Sequence, residues 1–118
     1  MQKRILIQAP ILTRSGYGER SRDIAYALLK NTNYFIEIFP TNWGNTPWID
    51  ISHTEKGQLI NMAITQTPTP EPDIFIQITI PNEFRKVGRY NIGITAGIET
   101  DLCAPDWIEG CNRMDTVS

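Results

Sequence analysis

Ser15, Gly16, Tyr17 and Gly18, with Arg14, Arg20 and Arg22 close by, form the first stretch of the chain whose residue types could hold a ligand. Glycine permits positive φ and lets the backbone come close to a bound group. A helix opening directly afterwards would add backbone N–H donors and the positive end of its dipole, which together suit an anion. Arginine supplies planar, bidentate contacts to phosphate oxygens. Ser15, Gly16, Tyr17, Gly18 and Arg20 are therefore candidates for phosphate binding, and a plain glycine turn with solvated arginines is the alternative. Gly16, Gly18 and Ser21 also imitate the dinucleotide fingerprint G-x-G-x-x-G/A. That reading fails on spacing, because Ala9 to Ser15 separate the glycines from the preceding apolar run. It fails on charge as well, since Phe39, Pro40, Thr41 and Asn42 provide no acid to grip a ribose. No Gly-Lys-Ser/Thr follows the glycines, so the P-loop pattern is missing, and no cofactor is expected.

Gly97, Ile98, Glu99, Thr100 and Asp101 form a second such stretch. Glu99 and Asp101 are the weak catalytic candidates: either carboxylate could act as a base or bind sugar hydroxyls, or both could simply organise a turn. Asn42, Trp43 and Trp48 could form a platform for a sugar ring, since an indole combines apolar contact area with a polar handle, or the tryptophans could cover an edge of the core. Asn42, Trp43, Gly97, Glu99 and Thr100 are the candidates for an acceptor cleft. His53 is the sole histidine and precedes a helix, where a solvent-facing or capping role suits it better than catalysis. With Cys103 and Cys111 it cannot complete a usual zinc site, so no metal is expected and the cysteines read as free thiols.

The elements that must position these residues alternate. Arg4 to Gln8 is a short apolar run suited to a buried strand. Tyr17, Ser21, Ile24, Ala25 and Leu28 then recur at helical spacing up to Asn31. Phe35 to Phe39 reads as a second strand. Ser52 and Glu55 have capping-box spacing for a helix over Thr54 to Gln66. Thr67 to Pro72 cannot continue that helix and leads into a third strand, Asp73 to Ile80. Tyr90 to Ala96 is the fourth. Pro105 suits the first turn of a helix carrying Trp107, Ile108 and Cys111, and Asp115 to Ser118 begins a fifth strand. Strands alternating with helices predict an α/β, Rossmann-like domain with a mainly parallel sheet of about four to five strands.

With 118 residues the chain has the length of one domain, residues 1–118, and 41% hydrophobic with 20% charged residues is a globular balance. Eleven basic against 13 acidic residues, scattered along the chain, exclude the basic footprint of a nucleic-acid binder. No apolar run approaches the roughly 20 residues that span a bilayer, and Ile5 to Ile7 is too short for a signal-peptide core. No integral membrane segment and a cytoplasmic location are the resulting expectations.

Ala9-Pro-Ile-Leu-Thr-Arg-Ser-Gly-Tyr-Gly18, the helix through Leu29 and Phe39-Pro-Thr-Asn-Trp43 resemble the opening of family 4 type GT-B glycosyltransferases. Gly93-Ile-Thr-Ala-Gly-Ile-Glu-Thr-Asp101, followed by Pro105-Asp-Trp107 and Cys111-Asn-Arg-Met-Asp115, is similar to the part of that domain where the chain passes the cleft. The resemblance covers nearly the whole chain. It implies the acceptor-side, N-terminal domain of a hexosyltransferase that takes a glycosyl group from a nucleotide-sugar to an unknown acceptor. It also implies that Gly16 to Gly18 lie against the donor phosphate or the reacting centre. Many relatives carry a histidine near the end of the fourth strand, where this chain has Thr95, Ala96 and Gly97, so the catalytic role stays unassigned. The donor-binding domain of such enzymes is not among these residues, and the chain alone is expected to be an inactive, truncated front piece. The alternative is a non-catalytic binding module that assembles, as a homo-oligomer, through an exposed sheet edge.

Overall fold

The computed structural model describes residues 3–12, 16–41, 51–79, 84–94 and 114–117. Seven elements follow one another: β1 (Arg4–Ala9), α1 (Gly16–Asn31), β2 (Phe35–Pro40), α2 (Glu55–Ala63), β3 (Ile74–Ile78), β4 (Tyr90–Ile94) and β5 (Thr116–Val117). The strands form one five-stranded sheet in the order β2-β1-β3-β4-β5, and every pairing is parallel. The α/β class and Rossmann-like architecture expected from the alternation are present.

Strand residues alternate between faces, and the apolar ones divide accordingly. Ile5, Ile7, Ala9, Ile36, Ile38, Ile76 and Ile78 build one face with Ala25 of α1 and Ile60 of α2. Leu6 and Phe75 point to the other, where Phe84 and Met114 cover them. On the first face α1 and α2 lie side by side, and Lys56 pairs with Asp23 between them. Ser21 is fully buried on the inner side of α1, and its hydroxyl donates to the Tyr17 carbonyl at 2.6 Å. Gly57 must be glycine, because a Cβ there would sit 1.5 Å from the Ile51 carbonyl oxygen.

Thr54, not Ser52, caps α2: its extended backbone (φ −123°, ψ 155°) turns Oγ1 toward the Gly57 N–H, which donates to it at 2.9 Å. Ser52 instead accepts from Gln58 Nε2 through its carbonyl at 3.1 Å. The helix stops at Ala63, short of the expected Gln66, because Ile64 swings into an extended conformation (φ −70°, ψ 132°). There it forms a single parallel bridge to Ile38, and the Thr65 N–H donates to the Ile38 carbonyl at 2.8 Å.

Ile64 therefore stands where a strand outside β2 would stand. Counting it, the order becomes the doubly wound 3-2-1-4-5-6, with its third strand reduced to one residue. The chain steps outward from β1 to β2 to Ile64 with both helices on one face, as right-handed crossovers require. It then returns across the opposite face. Glu37, which alternates with Ile36 and Ile38, accepts there from the Thr69 N–H at 3.1 Å. Arg4 completes the anchoring: its Nη2 donates to the Glu71 carbonyl at 3.0 Å and its backbone N–H to Asp73 Oδ2 at 2.9 Å. Glu71, between Pro70 and Pro72, takes a φ of 50° in this strap, a value uncommon for a residue with a side chain.

β3 occupies Ile74–Ile78, inside the expected span, and the Tyr90–Ile94 strand begins where expected. Residues 95–96 and the helix expected at Pro105 lie outside the described residues. Among the described residues, no helix is long and apolar enough to cross a membrane.

Candidate functional site

In a doubly wound sheet the connections leaving two neighbouring strands in opposite directions open a crevice at their carboxyl ends. Here those strands are β1 and β3. After β1 the backbone turns tightly, with the Ile11 N–H donating to the Ala9 carbonyl at 2.8 Å. Pro10 and Ile11 are buried. Thr41, at the end of β2, donates its N–H to the same Ala9 carbonyl at 2.9 Å. Its Oγ1 is buried and has no hydrogen-bond partner among the described residues.

Gly16, Tyr17 and Gly18 form the first turn of α1: the helix expected from Tyr17 onward starts one residue earlier, and both glycines lie within it rather than in a loop ahead of it. The argument from positive φ falls away, since helical residues take negative φ. What the turn retains is the positive end of the helix dipole and two residues without side chains. Gly18 is buried, Tyr17 is half-buried and packs against the first-face core. Arg20 is exposed one turn into the helix. Arg22 serves the fold: its Nη1 donates to the Ile11 carbonyl at 2.9 Å and so ties the turn after β1 to the helix. Burial pulls its pKa down from the ordinary arginine value, against the opposing pull of Glu19 and Asp23, and arginine remains charged throughout the physiological range.

Ser15, Asn42, Trp43, Gly97, Glu99, Thr100 and Asp101 lie outside the described residues. His53 is exposed. Among the described residues, no three His, Cys, Asp or Glu side chains come together as metal ligands.

A second group at the same sheet end was not singled out from the sequence. Gln8 and Gln77 are register partners on β1 and β3, on the face opposite α1 and α2. Phe84, fully buried, lies above Gly93, where a Cβ would come within 2.7 Å of its ring. Arg85 follows it, donating its backbone N–H to Gln77 Oε1 at 2.9 Å and its Nη2 to Gln8 Oε1 at 2.8 Å. Asn91, also buried, accepts through Oδ1 from the Val87 and Gly88 N–H groups, both at 2.9 Å. The stretch 84–88 has no regular secondary structure, yet it is bound to the sheet at nearly every residue. The available signal was the glutamine within each apolar strand run, Ile-Leu-Ile-Gln8 and Ile-Phe-Ile-Gln77.

The carboxyl end of the β1–β3 pair thus carries a helix N-terminus on one face and a held arginine on the other. Comparisons of the chain with models of protein families, with curated proteins and with solved structures found no match.

Proposed function

We propose that the chain is the acceptor-side, Rossmann-like domain of a GT-B glycosyltransferase. The observation that carries this reading is the glycine-containing first turn of α1 at the carboxyl end of β1, beside the point where the strand order reverses. A helix N-terminus in that position favours a phosphate electrostatically, and a nucleotide-sugar presents one. In this reading Gly16 and Gly18 face the donor phosphate, Ser15 and Arg20 assist, and Asn42, Trp43, Gly97, Glu99 and Thr100 line the acceptor side. Glu99 and Asp101 are the carboxylates available to act as base. Transfer itself requires the second domain of such an enzyme, which brings the donor.

Thermal-shift titration with inorganic phosphate, UDP and GDP tests the reading. Stabilisation that rises with ligand concentration is expected, with Arg20→Ala weakening it while leaving the unliganded midpoint unchanged. No stabilisation by any of the three would overturn it.

A second reading, a non-catalytic module that assembles through its sheet edge, rests on β2. Its outer edge is paired at Ile38 alone among the described residues, and Tyr34 and Phe35 at its start are 41% and 44% exposed. Unpaired edges recruit strands. Light scattering after size exclusion separates the two: a monomer at every concentration removes the second reading.

A further inference from the structure

Arg85 is held at both its backbone and its guanidinium, with no carboxylate against it among the described residues. Its backbone is fixed by Gln77, its guanidinium by Gln8, and its neighbour Phe84 is anchored in the second-face core. Both side-chain acceptors are carboxamide oxygens. A carboxylate in either place would hold an arginine more strongly but would cancel its charge. Instead Gln77, only 4% exposed, spends a buried amide on orienting this residue. Among the described residues no carboxylate pairs with Arg85, and the side chain is exposed. The result is a positive, planar donor fork aimed by two strands at the carboxyl end of the sheet, on the face opposite the α1 N-terminus.

We propose that Arg85, positioned by Gln8 and Gln77, binds an oxyanion, a carboxylate or a phosphate, carried by the molecule that enters the crevice between β1 and β3. If the chain is the acceptor-side domain proposed above, this group belongs to the acceptor, which is then an acid or a phosphate ester rather than a neutral sugar. That last assignment rests on the glycosyltransferase reading; the anion site does not. Two faces of the sheet end would then hold two anions separately, the donor phosphate at α1 and the acceptor at Arg85.

The test is an NMR titration of the isotope-labelled chain with acetate and, separately, with inorganic phosphate. The signals followed are the Arg85 Nε–H group, the side-chain amides of Gln8 and Gln77, and the backbone amides of Gly16 to Gly18. Saturable shifts at Arg85 and Gln8 are expected, and the anion that binds more tightly identifies the group. Arg85→Gln should weaken that binding by at least about tenfold, and Arg85→Lys should recover only part of it, because an ammonium lacks the fork. Gln8→Ala should weaken it less, with the backbone spectrum otherwise preserved. Absence of saturable shifts at Arg85 with both anions overturns the proposal, as does equal binding by wild type and Arg85→Gln. UDP added in a separate titration distinguishes the two readings. Shifts at Gly16 to Gly18 that persist in Arg85→Gln support the donor site alone. An acetate or phosphate response at Arg85 without any UDP response at α1 leaves the Arg85 site standing and removes the glycosyltransferase reading.

Discussion

Among the described residues the two faces of the sheet are covered by different means. On the first, α1 and α2 lay regular apolar stripes over alternating isoleucines. On the second, the described cover comes from a proline-containing strap, Phe84 and Met114, and a set of side chains that bind backbone groups: Glu37 to Thr69, Gln77 to Arg85, and Asn91 to Val87 and Gly88. The first face is held by area and the second by address. A helix stripe can slip or substitute with a graded loss, whereas a buried carboxamide that loses its partner strands a polar group at once.

Core truncation provides the largest test of this contrast. Ile7→Ala should cost about 2–5 kcal/mol and Phe84→Ala about 3–5 kcal/mol, read by urea denaturation, because both residues are fully buried against strands. If Phe84→Ala costs less than about 1 kcal/mol, far below the usual core range, the second face is a loose cover and the contrast is one of packed against unpacked.

Next comes the polar side of the contrast. Asn91→Ala should cost about 2–3 kcal/mol, since it takes the acceptor from two part-buried N–H groups, near the low end of roughly 1–3 kcal/mol each, and hydrogen exchange at Val87 and Gly88 should quicken. Unchanged exchange at those amides would mean that Phe84 alone retains the segment. Asp115 shares this network, its Oδ2 accepting from the Asn91 backbone N–H at 2.7 Å and from Asn91 Nδ2 at 3.4 Å; the same variant removes only the second bond, so β5 should stay paired to β4.

Smaller effects are expected on the helical face. Thr54→Ala should cost about 1 kcal/mol through loss of the α2 cap; an unchanged midpoint in urea denaturation would take the cap away from Thr54. Smallest of all, Lys56→Ala should change stability by no more than about 0.5–1 kcal/mol. Its pairing with Asp23 is well exposed at 38% and 62%, and added salt should erase the difference.

Legibility in the sequence followed the same division. Short apolar runs bounded by Pro or polar residues marked β1, β2, β3 and the start of β4, and the 3.6-residue spacing of apolar positions marked α1, because buried strands and a one-sided helix declare themselves in residue type. The end of α2 was misjudged: Thr65 and Gln66 do not break a helix, and it was the distant carbonyl of Ile38 that drew Ile64 into an extended bridge. The cap was misplaced by two residues, since Ser52, Thr54 and Glu55 each fit a cap and only backbone geometry chooses between them. The glycine turn was found but assigned to a loop, because glycine is a poor helix former and its neighbourhood decides. Arg85 passed unnoticed for a plainer reason. Its two anchors, Gln8 and Gln77, are far apart in the chain and meet only through the β1–β3 register, which no local pattern encodes.

The position of β1 between β2 and β3 has a consequence for biosynthesis. Its first partner, β2, follows after a single helix, so one βαβ unit can close soon after it leaves the ribosome. Its second partner, β3, arrives only once the chain has completed α2, touched β2 again at Ile64 and crossed the opposite face. During that interval one side of β1 presents unpaired backbone groups and a run of apolar side chains, a template that a neighbouring nascent chain could pair with. The strap from Thr65 to Asp73 therefore governs how long the half-made sheet stays open. Its three prolines, Pro68, Pro70 and Pro72, narrow the conformations it must search before β3 can dock.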